Sequence, residues 1–453
     1  MMVQLFASIS TVLVVSFCAY VLTILIPFLR RKPEPEGQPA AFQWHFFIPC
    51  RDEEAVIGTT IGRARERFPT AHVWIIDDDS DDRTADIVRH FEVNDPLVHL
   101  VERHRPHARI GKGAALNAAY DALNAWLPAD ADHESTLVCV LDADGEMEAN
   151  AFAAVATDRV FGDPTVGAAQ ITVWMKNRND RHPLPGHSRV ANLMARALIR
   201  MQDMEFRTMI AAMQTLREHT STVGLGGNGQ FTRLSVLDLI RDSYGEPWHG
   251  SLLEDYELGV HVLLAGYQTR HVHDTHVSQE ALTSFRRFLT QRTRWSQGNI
   301  QCARYLGQIF ASRHFDTRGV LESAYYLVLP FIQVIGFVTW MVLVGAFIQR
   351  LATDPQHVLA DATPVAFAAT AVLFTLFGVA PFAIWGPVYV RRCEPQKSLW
   401  KGLLYGLGMW FYVFYMYVSL SRAFVRVVLR RNGWAKTRRN AEVDVTGAIA
   451  LES

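Results

Sequence analysis

The chain has 453 residues, a formal net charge of −1 and 20% charged residues. This length exceeds one ordinary domain and predicts a globular part joined to a further region. A nearly neutral charge provides no basic field, so no nucleic-acid partner is expected. The five cysteines stand far apart without a Cys-x-x-Cys pair. That spacing predicts neither a zinc site nor a disulfide framework, and it favours a reducing compartment for the globular part.

Four long uncharged stretches predict membrane helices. They are residues 5–29, 325–348, 364–390 and 402–420. Each is close to or above the roughly 20 apolar residues that cross a bilayer. A cleaved signal peptide fits the first stretch poorly, because no basic residue precedes it and the cluster Arg30, Arg31 and Lys32 follows it.

The basic residues beside these stretches predict an orientation. By the positive-inside rule, residues 30–32 stay cytoplasmic, which places residues 31–324 inside and predicts an integral plasma-membrane protein with a cytoplasmic catalytic domain. Arg391, Arg392 and the basic run 426–439 favour the same side. Three full crossings after residue 324 would put that last run outside. Either one apolar segment is re-entrant or interfacial, or the rule fails here.

The region between the first two apolar stretches alternates strand-like and helix-like segments. Strands are predicted at 42–49, 72–77, 98–103 and 136–141, and helices at 53–68, 84–92 and 114–125. This alternation predicts an α/β Rossmann-like domain with a parallel sheet covered by helices on both faces. Ligands of such sheets bind at the carboxyl ends of the strands.

The chain is therefore divided into five parts. These are an N-terminal transmembrane helix (1–32), a cytoplasmic α/β domain (33–300), interfacial helices (301–324), C-terminal all-α transmembrane helices (325–430) and a basic C-terminal tail (431–453).

Two acidic clusters follow predicted strands. The first contains Asp77, Asp78, Asp79, Asp81 and Asp82 around Ser80. Helix capping explains some of these residues but does not require five aspartates, and a strand-end carboxylate can bind uracil or ribose. The second cluster is Asp142 and Asp144, whose side chains point to the same side of an extended chain. Such a pair suits Mg²⁺ or Mn²⁺ held together with a diphosphate.

Two further clusters lie later in the chain. Glu254 and Asp255 open a predicted helix, where acidic residues are favoured in any case. A functional alternative is a general base that deprotonates an acceptor hydroxyl. Residues 291–295 (Gln-Arg-Thr-Arg-Trp) precede the membrane block. A basic patch there commonly meets lipid headgroups, whereas Arg294 could hold a diphosphate and Trp295 offers a flat face to a sugar.

Six motifs in order carry a resemblance. They are residues 48–54 (Ile-Pro-Cys-Arg-Asp-Glu-Glu), 77–80, 111–117 (Gly-Lys-Gly-Ala-Ala-Leu-Asn), 142–144, 254–255 and 291–295. Together they span roughly residues 44–300 and resemble the family-2 glycosyltransferases with a GT-A fold. The flanking apolar segments resemble the membrane-bound branch of that family, which contains cellulose, chitin and hyaluronan synthases.

The resemblance implies a role for each matched residue. The donor-binding residues would be Pro49, Glu53, Asp77, Asp78, Lys112, Asp142 and Arg294. Asp142 and Asp144 would engage the metal, Asp255 would be the base with Glu254 beside it, and Trp295 would stack at the acceptor end. The loop Gly227, Asn228 and Gly229 would lie on the acceptor side. Two departures leave substrate details open: Leu253 stands where Thr is usual, and Asp52 where Asn is usual.

Three other features have competing interpretations. The methionines of the helical stretch 189–217 could line an acceptor groove, although core packing or a membrane-surface position is favoured. The histidine-rich run 270–276 has the composition of a metal site, but a strand and turn are favoured. Residues 434–438 (Trp-Ala-Lys-Thr-Arg) resemble a segment that covers the active site of these synthases, and are equally explained as a basic juxtamembrane tail.

These observations give a leading hypothesis and an alternative. The leading hypothesis is an inverting transferase that moves a hexose or N-acetylhexosamine from a UDP-sugar to a growing β-linked polysaccharide, coupled to membrane translocation. The alternative is transfer of one sugar to a membrane lipid, as in glucosyldiacylglycerol synthases. A scaffold with a decayed transferase domain is disfavoured, because Asp142, Asp144, Asp255 and Arg294 are all present. The partners expected are a UDP-sugar, a polysaccharide or lipid acceptor, and membrane lipids.

Overall fold

Eight strands form one mixed sheet in the computed structural model, which describes residues 1–361 and 363–431. The strands are β1 (Gln43–Cys50), β2 (His72–Asp78), β3 (Val98–Arg103), β4 (Thr136–Val140), β5 (Glu146–Met147), β6 (Val166–Met175), β7 (Gln230–Arg233) and β8 (Gln268–Gln279). Their spatial order is β3-β2-β1-β4-β7-β6-β8-β5. Residues 33–316, which contain this sheet, are called the α/β domain below.

The helices of the α/β domain cover both faces of the sheet. They are α2 (Ile57–Arg67), α3 (Thr84–Asn94), α4 (Lys112–Trp126), α5 (Ala151–Val155), α6 (Arg189–Met204), α7 (Ala211–His219), α8 (Leu234–Tyr244), α9 (Glu254–Leu264), α10 (Phe285–Cys302) and α11 (Leu306–Ala311). Helix α1 (Met2–Arg30) precedes them. The C-terminal helices are α12 (Thr317–Thr353), α13 (Pro355–Asp361), α14 (Pro364–Leu373), α15 (Ala380–Ala383), α16 (Trp385–Cys393), α17 (Leu399–Tyr412) and α18 (Tyr415–Val428).

The predicted parallel sheet is confirmed for its first four strands. Strands β3, β2, β1 and β4 pair in parallel, and the residues of β1 from Trp44 to Ile48 are almost wholly buried. A continuous apolar run is typical of a strand covered on both faces. Beyond β4 the sheet is only partly parallel: β6 and β8 pair in parallel, but β7 pairs antiparallel with both β4 and β6, and β5 pairs antiparallel with β8. The sheet is therefore mixed, and strands β3, β2, β1 and β4 form its all-parallel part.

Four helical segments among the described residues are long and apolar enough to cross a membrane: Met2–Arg30, Thr317–Thr353, Pro364–Cys393 and Leu399–Val428. Their apolar side chains are mostly outside the protein core. In Thr317–Thr353, for example, Trp340 and Phe347 each expose 58% of their surface. Exposed apolar surface on this scale is typical of helices that face lipid.

The helix α6, the π-helical segment Glu205–Ile210 and α7 form one continuous helix that joins the α/β domain to the apolar helices. Met201 and Met204 pack against Tyr389 and Met409 of α16 and α17. Met209 and Met213 pack against the cluster formed by α1 and Trp385. Core packing, rather than an acceptor groove, is therefore confirmed for these methionines, whereas Met194 is 68% exposed.

Both ends of the segment Leu399–Val428 lie beside the α/β domain. Just before the segment begins, Glu394 pairs with Arg207 at 2.9 Å. At its end, Arg426 Nε donates to Gln297 Oε1 at 2.7 Å, and Gln297 Nε2 donates to the Arg431 carbonyl at 2.9 Å. In between, α18 packs along α10, with Tyr415 edge-on to Phe288 at 4.8 Å. These contacts are those of a helix pair that lies along the domain.

Candidate active site

The carboxyl ends of three neighbouring strands, β2, β1 and β4, form one edge of the sheet. The loops that follow β1 and β2 are tied together there. The Asp52 amide donates to Ser80 Oγ at 2.9 Å, and the Asp81 amide donates to Asp52 Oδ1 at 2.8 Å. The Glu53 amide donates to Thr84 Oγ1 at 2.8 Å, and the Glu53 side chain is buried. Two of the predicted donor-binding segments therefore form one structure.

The carboxylates that end β2 have different environments. Burial raises the pKa of Asp77, and its Oδ1 atom is buried without a hydrogen-bond partner. A buried acceptor that lacks a donor suits a ligand N–H or O–H group. Asp78 instead forms a buried ion pair with Arg103 at the end of β3. The predicted contact of each residue with uridine stays a prediction, and Asp77 has the acceptor atom that such a contact requires.

Asp142 and Asp144 follow β4 as expected, and loops from elsewhere in the chain hold them. The Asp142 amide donates to Asn228 Oδ1 at 3.2 Å. Asp144 is 2% exposed and its Oδ2 accepts from the Glu280 amide at 2.9 Å. Asn228 Nδ2 in turn donates to Gln279 Oε1 at 3.0 Å. The strand end, the Gly227–Gly229 loop and the end of β8 therefore form one unit.

Lys112, the first residue of α4, links this unit to the predicted base. Its ammonium nitrogen lies 2.7 Å from Asp142 Oδ1 and 2.6 Å from the Gly227 carbonyl oxygen. A Cβ atom at position 227 would lie 2.9 Å from Lys112 Nζ and 3.2 Å from Asp255 Oδ2. A side chain at position 227 would therefore displace the Lys112 ammonium group from the place where it meets Asp142, and Asp255 lies on the same side.

Gly229 is required for a different reason. Its φ is +73°, in the left-handed region that favours glycine. A Cβ atom there would come within 2.6 Å of Ile171 Cγ1 and 2.8 Å of Val277 Cγ1. The structure therefore explains Gly229 by backbone conformation and packing, while its acceptor contact stays a prediction.

Glu254 and Asp255 open α9 and are half-buried beside cationic groups. Burial raises the pKa of both carboxyls, and the Asp255 charge raises the pKa of Glu254 further, to about 7. Lys112 and Arg294 oppose this shift at both carboxyls. Burial lowers the pKa of Lys112, but Asp142 and Glu254 more than compensate, so its pKa is raised and the ammonium form is favoured. Perturbed carboxyls beside fixed cations are typical of catalytic sites.

The two predicted residues of α10 have different neighbours. Arg294 acts electrostatically on Glu254 and Asp255, which places its charge at the acidic end of the site. The Trp295 ring lies edge-on to Phe206 at 6.1 Å, and the Arg292 guanidinium lies over it at 4.4 Å. The structure therefore brings together Lys112, Asp142, Gly227, Asp255 and Arg294, and it places Trp295 against the π-helical segment.

The oxygen ligands at the end of β4 fit a hard divalent cation. A cationic ammonium group already lies between Asp142 and the Gly227 carbonyl oxygen, which shows that this cradle accepts positive charge. Among the described residues no group of three or more His, Cys, Asp or Glu side chains could hold a metal alone. If Asp142 and Asp144 hold Mg²⁺ or Mn²⁺, a substrate diphosphate would supply further oxygen ligands, as is usual for Mg²⁺ sites.

Strand-end carboxylates beside a half-buried acidic pair, on an α/β sheet of this order, are the arrangement expected of a glycosyltransferase with a GT-A fold. Comparison with known sequences agrees, because residues 42–298 match the family described as glycosyltransferase like family 2. The chain belongs to that family.

Two similar proteins illustrate the range of the family. The probable glycosyltransferase YdaM of Bacillus subtilis is 23% identical over 394 residues, which cover 84% of this chain and 80% of that protein. A β-monoglucosyldiacylglycerol synthase of Synechocystis is 28% identical over 263 residues, which cover 57% of this chain. The matched region spans only 48% of that synthase's length.

A solved structure shows the same fold. It is the mannosyltransferase PcManGT of Pyrobaculum calidifontis in complex with GDP-mannose and Mn²⁺. The TM-score is 0.59 at 14% identity, with 95% of this chain and 100% of that chain covered. The likeness therefore extends beyond the α/β domain to most of the helices around it.

Several residues that complete the site were missed by sequence reasoning. The buried Gln170 of β6 accepts from the Gly226 amide at 2.8 Å and donates to the Asn228 carbonyl at 2.9 Å, which clamps the glycine loop. Glu280 supplies the amide that binds Asp144. Arg292 lies inside the 291–295 motif but had no assigned role. Two of them had a signal in the sequence: Arg292 stands in the 291–295 motif, and Glu280 belongs to the stretch 279–283 (Gln-Glu-Ala-Leu-Thr), which is compatible with glucosyldiacylglycerol synthases.

The histidine-rich run 270–276 and the tail motif 434–438 were the remaining sequence features with two interpretations. The run 270–276 is part of β8, so the strand interpretation is confirmed. There His273 Nε2 lies 3.1 Å from the Lys32 carbonyl oxygen, and His276 stacks on Trp174 at 3.7 Å. The tail motif 434–438 lies outside the described residues.

Transfer is expected to decline as the pH falls below about 7, the pKa of Glu254. A base must be unprotonated to accept the acceptor's proton, and a raised pKa means that protons bind this carboxyl pair at higher pH. The measurement is kcat/KM for transfer against pH. Glu254→Gln removes the like charge and is expected to move the decline to lower pH. A rate that stays constant down to about pH 5 would exclude this carboxyl pair as the base.

Proposed function

We propose that this chain transfers a single hexose from a UDP-hexose to the hydroxyl group of a membrane lipid, with inversion to a β-linkage. The observation that carries this proposal is the position of Asp255, the proposed base, beside an apolar helix. Tyr256, next to Asp255, packs on Tyr326 of α12 with a centroid distance of 4.9 Å. An acceptor that approaches Asp255 along α12 comes from the membrane.

The similarity to β-monoglucosyldiacylglycerol synthases supports the same acceptor class. Diacylglycerol, whose free hydroxyl lies at the headgroup level of the bilayer, is the proposed lipid. Polysaccharide synthesis remains a second candidate function: Trp295, which we place at the acceptor end of the site for a lipid as well as for a sugar chain, offers a ring face on which a terminal sugar would stack. The two candidates share the donor chemistry and differ only in the acceptor.

In the proposed reaction Asp255 Oδ2 accepts the proton of the acceptor hydroxyl. The hydroxyl oxygen attacks the anomeric carbon, the bond to the diphosphate breaks, and UDP leaves. Lys112 and Arg294 provide fixed positive charge for the leaving diphosphate, which is the stabilisation that counts most in such transfers. When bound by Asp142 and Asp144, the divalent cation would neutralise further charge on the diphosphate. Asp77 would accept a hydrogen bond from the uridine.

We propose a cytoplasmic position for the α/β domain. The basic residues Arg30, Arg31 and Lys32 follow α1, and Arg392 donates to the Leu29 carbonyl, so two basic clusters lie on one face. The end of α18 is bonded to Gln297 of the same domain. If α17 and α18 lie along the domain at the interface, the three remaining spans place every basic cluster up to Arg431 on the cytoplasmic side. This arrangement removes the conflict between span count and basic residues.

The proposed function is tested with everted membrane vesicles that contain the protein, diacylglycerol, Mn²⁺ and UDP-[¹⁴C]glucose, with UDP-N-acetylglucosamine compared as a second donor. The expected product is soluble in organic solvent and carries one sugar. Right-side-out sealed vesicles are the control, and they should give no product because the donor cannot reach a cytoplasmic site. A labelled product that stays in the aqueous phase and grows in size would overturn the lipid proposal in favour of polysaccharide synthesis.

A further inference from the structure

A buried ion pair joins α10 to the π-helical segment. Arg292 Nη2 lies 2.5 Å from Glu205 Oε2, and the two residues are 4% and 9% exposed. Glu205 is the first residue of Glu205–Ile210, where the regular helix gains a π turn. Such turns are rare and are often found at functional sites.

Aromatic rings surround the Arg292 guanidinium. It lies 4.4 Å from the centroid of Trp295, 4.9 Å from Phe288, 5.4 Å from Tyr415 and 5.7 Å from Phe206. Phe206 is also the edge-on neighbour of Trp295. The Trp295 ring is therefore held by a cation whose position depends on Glu205, and by the residue next to Glu205.

Helices α17 and α18, called the last apolar helix pair below, complete this cluster. The Tyr412 hydroxyl donates to Glu205 Oε2 at 2.7 Å, and the Tyr415 hydroxyl donates to Glu205 Oε1 at 2.8 Å. The Glu205 carboxylate thus accepts hydrogen bonds from one side chain each of α10, α17 and α18. A second link between α10 and α18 runs through Gln297 and Arg426. The helix that carries Arg294 and Trp295 is fixed to Leu399–Val428 at two points.

We propose that Glu205 and Arg292 are positioning residues that orient Trp295 and connect the acceptor end of the site to the last apolar helix pair. The acceptor role of Trp295 in this statement rests on the proposed function. A buried ion pair contributes little net stability compared with apolar packing of the same size, because desolvation offsets its attraction. Its directional bonds, in contrast, hold one arrangement of the rings. Glu205 acts through Arg292 and touches no substrate.

The first measurement follows the Trp295 ring without requiring any activity. The full chain is labelled with 5-fluorotryptophan in lipid nanodiscs, and the ¹⁹F resonance that disappears in Trp295→Phe is assigned to Trp295. Glu205→Gln is expected to shift or broaden that resonance. Tyr415→Phe removes only one hydroxyl, so it should fold, and it is expected to change the resonance in the same direction. An unchanged Trp295 resonance in Tyr415→Phe and in folded Glu205→Gln would overturn the proposal.

Asp203→Asn is the matched control. Asp203 lies on the same helix, is fully buried, and accepts from the Tyr389 hydroxyl at 2.5 Å and from Arg207 at 3.2 Å. The substitution therefore also changes a buried carboxylate with an arginine and a tyrosine partner to an amide. The groups that donate to Asp203 lie on β6 (the Met175 amide), α16 (Tyr389) and the π-helical segment (Arg207), away from α10. The Trp295 resonance is expected to stay in place, and a shift as large as that of Glu205→Gln would show general loosening instead of positioning.

A second measurement links the ring to transfer. With diacylglycerol vesicles and UDP-glucose, Glu205→Gln is expected to lower kcat/KM for the acceptor about 10²-fold, as small displacements at a reacting site do. UDP affinity should not change. In a Trp295→Ala background the same substitution should add little, because both changes act on one ring. Independent, multiplying losses would contradict the proposal. If wild-type protein gives no lipid product, the proposed function fails while the ¹⁹F result still decides the positioning role.

Discussion

Asp255→Asn is expected to abolish sugar transfer while UDP binding stays intact. Removal of a general base costs typically 10²–10⁴-fold in rate. The amide keeps the shape of the side chain, and its oxygen can still accept from the Tyr256 amide, which lies 2.7 Å from Asp255 Oδ1. The loss is therefore expected in kcat and not in folding. Initial transfer rates and a UDP titration of the same preparation measure the two effects separately.

The matched control for this substitution is Asp238→Asn on α8. Asp238 accepts from the Tyr120 hydroxyl at 2.6 Å and is 30% exposed, and Tyr120 stands about two helical turns after Lys112 on α4. Transfer by this variant should stay close to the wild-type rate. Transfer by Asp255→Asn near the wild-type rate would show that Asp255 is not the base and would leave Glu254 as the remaining acidic residue at the start of α9.

Asp144→Asn is expected to weaken binding of the divalent cation and to lower transfer by several orders of magnitude. Asp144 is buried, and its Oδ2 is fixed by the Glu280 amide. An amide oxygen in place of a carboxylate supplies less negative charge to a hard cation, whose charge stabilisation is worth several kcal/mol in such reactions. Mn²⁺ binding in the presence of UDP, followed by electron paramagnetic resonance, measures the first effect independently of activity.

The paired comparison is again Asp238→Asn, which should bind Mn²⁺ like the wild type. Higher Mn²⁺ concentrations should partly restore transfer by Asp144→Asn if its defect is one of affinity. Wild-type Mn²⁺ affinity and wild-type transfer in Asp144→Asn would contradict the metal site at the end of β4.

The site residues that could be predicted are those whose position follows from their immediate neighbours in the sequence. Asp142 and Asp144 directly follow an apolar run that folds as β4, so their place at the strand end follows from the local sequence. The same holds for Asp77, the last residue but one of β2. Buried parallel strands are apolar throughout, and this pattern is readable without any tertiary information.

The unpredicted part depends on contacts between distant segments. Lys112 meets Gly227 across 115 positions, and Arg292 meets Glu205 across 87. No local pattern specifies such pairs. Strand β7 was also missed, because its four residues Gln230–Arg233 lack a continuous apolar run even though all four are buried. Its burial, and its antiparallel direction, arise from the neighbouring strands β4 and β6.

The membrane region shows the same division. Length and composition identified all four apolar segments, since these depend only on local sequence. The positive-inside rule favoured the cytoplasmic side for every basic cluster, whereas the number of apolar segments put the last cluster on the opposite side of the membrane. The contacts of Gln297 with Arg426 and Arg431 join the end of α18 to α10, and no local pattern predicts them; they support the proposed arrangement of the basic clusters.

The central claim is that one metal-assisted site, formed by Asp142, Asp144, Lys112 and Asp255, transfers a hexose to a lipid at the membrane. Its most direct test is UDP-[¹⁴C]glucose transfer to diacylglycerol in everted vesicles, before and after removal of divalent cations with EDTA and re-addition of Mn²⁺. We predict label in the lipid fraction that disappears with EDTA, returns with Mn²⁺ and is absent for Asp255→Asn. Lipid labelling that persists in EDTA, or that Asp255→Asn retains, would contradict the account.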